Sequence, residues 1–292
     1  MSAEAVTRAL GGKWSGQHGV AMCPAHDNRR TPALSLADGE DGKLLVYCFA
    51  GCDGADVLRA LNRRGLSDAR QSDMRPPKPN WTKSNQRDFA LSLWREAQPI
   101  QDTLAEQYLR ERSIKPPFPN SLRFHPALMH RPSRTQHPAI IGLVTKADGN
   151  EPAGVHRTYL GSNARKATVT PCKMMLGDCG GGAVLIDNEG DGPVVICEGI
   201  ETALSLRDAL TFENQGPRIW AALSTSGIAG LSLSVRMKAI VIAPDGDAPG
   251  HRAAYRLAER AKGRGLDVRI MVAPVGKDWN DVACDLSRER TL

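Results

Sequence analysis

Two pairs of metal-ligating residue types, separated by a short loop, constrain this chain more than anything else in it. Cys23-Pro24-Ala25-His26 is a C-x2-H pair and Cys48-Phe49-Ala50-Gly51-Cys52 is a C-x3-C pair, with 21 residues between them. Zn2+ favours four tetrahedral sulfur and nitrogen ligands, and two short knuckles joined by a loop of this size supply them. Gly51 relieves the tight turn of the second knuckle. Between the knuckles, 33–36 and 43–47 read as the strands of a hairpin, turned at 38–42, which makes a zinc ribbon. The competing reading, ordinary buried thiols, is disfavoured because Cys172, Cys179, Cys197 and Cys284 show no comparable pairing. A site with all four positions filled by protein is structural, and one Zn2+ then stabilises a module too small to fold alone. His18 lies out of register and reads as a surface histidine.

The rest of the chain divides by composition. Residues 67–85 are polar and carry Pro76, Pro77 and Pro79, the marks of a linker. The expected organisation is a zinc module at 1–66, the linker at 67–85, a basic α+β region at 86–190 and an α/β domain at 191–292. Apolar residues recur at helical spacing over 86–112, broken at Pro99, and strand-like runs begin at Ala139, with a turn at Asp148-Gly149-Asn150. The net charge of +6 is uneven: 59–134 hold fifteen Lys/Arg against seven Asp/Glu, so the remainder of the chain is slightly acidic. A basic block of this kind suits phosphate contact or a solvated linker. No apolar run reaches the ~18–20 residues of a membrane span, and no signal-peptide pattern is visible. Seven cysteines, an odd number, then point to a reducing cytoplasm and away from a disulfide scaffold.

Carboxylates mark the last domain. Pro193-Val194-Val195-Ile196-Cys197 is a buried-strand run that ends in Glu198-Gly199, with a helix following over 200–210. A second run, 237–243, ends in Pro244-Asp245-Gly246-Asp247-Ala248-Pro249-Gly250 before a helix at 251–262. A third, 268–272, leads to Gly276-Lys277-Asp278-Trp279-Asn280-Asp281. In an open parallel sheet, functional groups gather at the carboxyl ends of the strands, so Glu198, Asp245, Asp247 and Asp278 converge on one edge. Clustered carboxylates repel one another unless a cation sits between them, and hard oxygen ligands select Mg2+ or Mn2+. Asp-x-Asp alone is more often a turn that caps a helix; Glu198-Gly199 at an earlier strand end, in this order and spacing, favours a site. Glu201 stays open between a carboxylate supporting that site and an exposed first-turn glutamate favoured by the helix dipole.

These residues resemble the Toprim domain shared by bacterial primases, type IA and II topoisomerases and some nucleases. Asp245 to Gly250 looks like the primase D-G-D-x-A-G with Pro249 as an insertion or shift, and Gly276-Lys277-Asp278 looks like the later G-x-D segment. Asn280 stands where the family carries a further aspartate, and Asp281 is the candidate to replace it. The first module resembles the CHC2 zinc domain of DnaG-type primases, through Cys23-Pro24-x-His26, Thr31-Pro32-Ala33-Leu34, Cys48-Phe49-x-Gly51-Cys52 and Asp56-Val57. Its second knuckle has one residue more than the usual C-x2-C, as in many phage and plasmid relatives. His156-Arg157-Thr158-Tyr159-Leu160, Lys166-Ala167 and 173–177 resemble the basic segment that precedes the primase Toprim fold.

The resemblance covers most of the chain, in primase order, and is greatest to compact Toprim primases of phages, plasmids and integrated elements. It implies a Rossmann-like parallel sheet at the C-terminus and a DNA primase that makes short RNA primers on single-stranded DNA from ribonucleoside triphosphates. Glu198, Asp245 and Asp247 would be catalytic, and these three with Asp278 would hold Mg2+ or Mn2+. Cys23, His26, Cys48 and Cys52 would hold Zn2+. Arg157, Lys166 and Lys173 would bind template or nucleotide phosphates, with His156 packing nearby and Arg123-Phe124-His125-Pro126 in the same groove. No G-x4-G-K-[ST] phosphate loop occurs in the sequence, so a separate replicative helicase or initiator is the expected partner. A Toprim nuclease and a non-catalytic DNA-binding adaptor are the alternatives.

Overall fold

The computed structural model describes residues 1–16, 18–26, 32–39, 42–48, 52–66, 83–146, 151–189, 192–210 and 218–289. Thr31, most of the linker, Gly51, the centre of the 38–42 turn and the Asp148-Gly149-Asn150 turn lie outside them. The chain forms two units, one of 1–82 with 128–136 and one of 83–127 with 137–292.

The first unit begins with α1 (Ala3–Ala9), β1 (Lys13–Trp14) and β2 (Gly19–Ala21) and continues through β3 (Leu34–Asp38), β4 (Leu44–Cys48) and α2 (Gly54–Arg63). The expected β3–β4 hairpin is present, and β1 and β2 extend it to a four-stranded antiparallel sheet in the order β1-β2-β3-β4. Leu34 pairs with Cys48, which carries one zinc-ligand candidate onto the sheet. Asp53 caps α2, its side chain accepting from Ala55 N, so Cys52 sits one residue ahead of a helix N-terminus. Val6, Leu34, Leu36, Val57 and Leu61 form a core that leaves little apolar mass for stability.

The second unit opens with α3 (Lys83–Glu96) and α4 (Leu104–Arg110), the latter capped by Thr103. Helix α3 therefore starts inside the last three residues expected to be linker. Next come β5 (Leu122–His130), β6 (Thr135–Lys146), β7 (Pro152–Tyr159), β8 (Lys173–Gly177) and β9 (Gly182–Asp187). The remainder alternates: β10 (Val194–Cys197), α5 (Ile200–Ala209), β11 (Arg218–Ala221), α6 (Thr225–Gly230), β12 (Ala239–Ala243), α7 (Ala248–Lys262), β13 (Asp267–Ile270) and α8 (Trp279–Glu289). Eight strands run in the order β13-β12-β10-β11-β9-β6-β7-β8, and β5 pairs with β6 outside this path. The first four are mutually parallel, joined by crossover helices, and the rest are antiparallel. The sheet is thus mixed, and it runs without a break from the basic region into the parallel C-terminal half. Strand β11, only four residues long, escaped the sequence reading.

Strand alternation sorts the core. Val195 and Cys197 of β10 join one cluster with Ile200, Ala203 and Leu204, while Val194 and Ile196 join another with Ile228, Ala253 and Leu257. Burial on both faces is what a parallel strand of four apolar residues requires. Helix α8 is tied to this frame by one amide. Asn280 is 1% exposed. Its Nδ2 donates to Arg112 O and to Ser205 Oγ, both at 2.9 Å, and its Oδ1 accepts from Arg112 Nη1 at 3.2 Å. Asn280→Ala is expected to cost about 1–3 kcal/mol by stranding these partners. The measurement is a urea titration, in which the midpoint should fall with little change in slope. An unchanged midpoint would mean that α8 is held by its apolar face alone.

Candidate functional site

Each unit carries one cluster of candidate ligands. In the first, the ligand atoms of Cys23, His26, Cys48 and Cys52 all lie within 4.8 Å of one another. His26 Nδ1 is 3.1 Å from Cys52 Sγ and 3.7 Å from Cys48 Sγ. A tetrahedron built on Zn–S and Zn–N bonds has edges of roughly 3.6–3.8 Å, so the quartet fits a zinc ion. Cys23 and Cys48 are buried. The Cys48 thiol is pulled down to about 4, first by Cys23 donating to it and then by His26. Burial and the neighbouring Cys48 push Cys52 up to about 11. Three thiols packed this closely cannot all ionise without a cation, which is the condition zinc meets. Among the described residues this quartet is the only set of three or more potential ligands drawn together so tightly.

The second cluster is built by the backbone. Leu223 N donates to Glu198 O at 2.8 Å, which joins the loop after β11 to the end of β10. Gly246 N donates to Lys277 O and Gly276 N to Gly246 O, both at 2.9 Å, so the loops after β12 and β13 are zipped together. Gly246 is required here: a Cβ would lie 2.0 Å from Pro274 O. Gly250 is required as well, since a Cβ would come within 2.7 Å of Asp245 O. Asp247 caps α7, its Oδ1 accepting from Gly250 N at 2.7 Å. Pro249 occupies the first turn of α7, where its missing N–H is not needed, so the helix that follows Asp-Gly-Asp starts undisturbed.

Glu198, Asp245, Asp247 and Asp278 therefore meet at the carboxyl edge of the parallel strands. Burial, then Glu198, Asp278 and Asp247, push the Asp245 carboxyl up to about 7. Burial and Asp247 raise Glu198, and Lys173 opposes both shifts. Asp245 Oδ1 is buried with no hydrogen-bond partner. An orphaned oxygen among mutually repelling carboxylates is the donor set a hard divalent cation resolves, so these residues fit Mg2+ or Mn2+. They stand further apart than the zinc ligands, which suits Mg2+, an ion that keeps several waters. Asp281 does not replace the missing aspartate. Its Oδ2 accepts from Asp278 N at 3.1 Å and Asp278 Oδ1 accepts from Asp281 N at 2.8 Å, a reciprocal cap that starts α8.

Glu201, left open by the sequence, is decided by the fold. It is 6% exposed on the first turn of α5. Tyr108 OH donates to its Oε1 at 2.6 Å, Lys173 Nζ lies 3.2 Å from Oε2 and Lys166 Nζ 3.9 Å from Oε1. These cations and the phenol hold the carboxyl well below its ordinary range despite its burial. His156 lies on the same face of β7, 3% exposed, and burial followed by Lys173 pushes it down to about 3, so it is neutral. Lys166 and Arg112 also line a cavity of about 350 Å3 with Arg165, Arg288 and Asp285.

Arg157 does not join the two lysines. Thr158 pairs with Lys173 and His156 with Met175, so the intervening Arg157 points to the opposite face. It is 6% exposed, and its guanidinium donates to Met175 O at 2.9 Å and to Tyr159 OH at 3.3 Å. It braces the β7–β8 pair. Arg123 is likewise engaged, stacked 4.5 Å over Trp94 and donating to Trp94 O. The residue sequence reasoning missed is Tyr108, whose spacing in α4 marked only an apolar position.

Residues 84–186 match the family model described as a domain of unknown function (DUF7146), and residues 193–289 match the Toprim domain model. The C-terminal part of the chain is a Toprim domain. Among curated proteins, none matches the chain. Three solved structures are similar to it. One is the zinc-binding and RNA polymerase domains of the Aquifex aeolicus primase, at 15% identity and a TM-score of 0.45, covering 99% of this chain and 80% of that one. Another is a DNA primase domain from Pseudomonas aeruginosa, at 16% identity and a TM-score of 0.44, covering 70% and 77%. A third is the primase fragment of the bacteriophage T7 primase-helicase, at 14% identity and a TM-score of 0.39, covering 84% and 87%. All three likenesses are distant. No helix among the described residues is long and apolar enough to cross a membrane.

Two measurements follow from the two clusters. Zinc should be found at about one per chain, retained in Cys172→Ser and lost in Cys48→Ser; retention in Cys48→Ser would refute the ligand set. At the carboxylate edge a proton on Asp245 competes with the cation, and that proton leaves as pH rises through about 7. Mn2+ affinity, followed by electron paramagnetic resonance, should therefore rise about tenfold per pH unit below that point and level off above it. A flat profile would show that Asp245 is not a ligand.

Proposed function

We propose that this chain is a DNA primase that condenses ribonucleoside triphosphates into short RNA primers on a single-stranded DNA template. One observation carries the reading. Two carboxylates of the Toprim edge, Glu198 and Asp245, feel the charge of Lys173, and the same chain carries a Cys3His quartet that could hold a zinc ion. Nucleotidyl transfer needs both signs of charge side by side: acids to hold a divalent cation, and ammonium groups to take phosphate oxygens.

In this reading a 3′-hydroxyl gives up its proton to solvent and attacks the α-phosphorus of the incoming nucleotide; the new P–O bond forms as the bond from the α-phosphorus to the bridging oxygen breaks, and pyrophosphate departs. A bound Mg2+ or Mn2+ would lower the pKa of the attacking hydroxyl and stabilise the leaving oxygens. Glu198, Asp245 and Asp247 would hold the ion, with Asp278 as a fourth carboxylate. Lys173 and Lys166 neutralise phosphate charge, and the cavity beside Lys166 gives the polyphosphate room. Arg157, buried and bonded to Met175 O, is given a bracing role in this reading instead. The zinc module would contribute to selecting the template site.

The test supplies single-stranded DNA, ribonucleotides and Mg2+ and looks for short RNA. Synthesis is expected, and Glu198→Gln and Asp245→Asn should each lower it by at least ~100-fold, the scale of losing a transition-state charge contact, with zinc content unchanged. Cleavage of DNA without synthesis would assign the carboxylates to a nuclease. Binding of DNA with neither reaction would make the chain an adaptor.

A further inference from the structure

Glu201 belongs to no metal-ligand set assigned above, yet it is buried and both of its oxygens are anchored. Each of its oxygens has a fixed partner: Oε1 takes Tyr108 OH at 2.6 Å, and Oε2 takes Lys173 Nζ at 3.2 Å. Lys166, at 3.9 Å, is the looser of the two ammonium groups. Lys173 also acts on the metal edge, because it lowers both Glu198 and Asp245, although no ion pair joins it to either. Its side chain is about one-third exposed and its stem is flexible. Lys173 is thus held by one carboxylate and attracted by two. Lys166 repels it. An ammonium released by Glu201 would move towards Asp245 and occupy the place of a cation.

We propose that Glu201 is a positioning residue that tethers Lys173 away from Glu198 and Asp245, so that these carboxylates stay available to a divalent cation while the ammonium stays at phosphate-binding distance beside them. The inference rests on reading the carboxylate edge as a divalent-cation site. It assigns Tyr108 the task of fixing the orientation of the tether. It also accounts for a glutamate buried in the first turn of α5, where an exposed one would serve the helix dipole as well.

The test is Mn2+ affinity of the full, zinc-loaded chain, with zinc content and thermal midpoint as checks on folding. Glu201→Gln is expected to weaken Mn2+ binding by about tenfold, as the freed ammonium pairs with the cluster. Adding Lys173→Met should restore affinity to within about twofold of wild type, because the competing charge is then gone. A merely structural role for Glu201 predicts no such rescue. Mn2+ binding by Glu201→Gln equal to that of wild type would overturn the proposal, as would a loss that Lys173→Met leaves in place. Should Glu201→Gln not fold, Tyr108→Phe carries the question: a loss of about two- to fivefold supports the tether, and an unchanged affinity overturns it. A wild type that binds no Mn2+ removes the metal reading and this inference together. Failure of the variants alone removes only the inference.

Discussion

Like charge confined at one sheet edge is the constraint that the second unit is built around. Three strand ends and two interlocked loops bring Glu198, Asp245, Asp247 and Asp278 together, and the energy for this comes from elsewhere in the fold. It comes from the apolar faces of β10 and β12, each packed on both sides, and from loop–loop hydrogen bonds that only Gly246 permits. The repulsion is partly relieved by Lys173 and by raising the Asp245 carboxyl to about 7. What remains is an electrostatic imbalance rather than a set of satisfied contacts, and it is on this imbalance that the proposed cation site rests.

The basic side of the site is organised by the opposite rule. There a single buried carboxylate, Glu201, serves two lysines, so the group keeps a net positive charge at its rim. A buried acid without partners would take up a proton, and a pair of free lysines would separate. Tyr108 and the neutral His156 complete the packing without adding charge. The first unit solves a different problem with the same logic. Its sheet and two helices bury few large side chains, and beside them lies the Cys23, His26, Cys48 and Cys52 quartet, which could hold a zinc ion.

Much of this was legible in the sequence because spacing reports chemistry directly. The Cys/His pairs, Glu198-Gly199 and Asp245-Gly246-Asp247 each occupy a run of a few residues, and each run is fixed by local geometry: a knuckle, a strand end, a helix cap. What was not legible depended on partners far away in the chain. Glu201 could be decided only by Tyr108, 93 residues earlier, and by two lysines on neighbouring segments. The resemblance to a basic primase segment groups Arg157 with Lys166 and Lys173, yet a strand alternates faces, and one step along β7 separates Arg157 from them. Asn280 looked like a lost ligand and proved to be a buried amide joining α4, α5 and α8. Strand β11, only four residues long, went unread although Ile219, Trp220 and Ala221 are apolar.

The central claim is that the carboxylate edge holds a divalent cation while Glu201 keeps Lys173 out of that position. Anomalous diffraction from crystals grown with Mn2+ tests it most directly. The account predicts a manganese peak bounded by carboxylate oxygens of Glu198, Asp245 and Asp247, with the Lys173 ammonium still against Glu201. A peak elsewhere, or Lys173 paired with Asp245 and no manganese between the carboxylates, would contradict it.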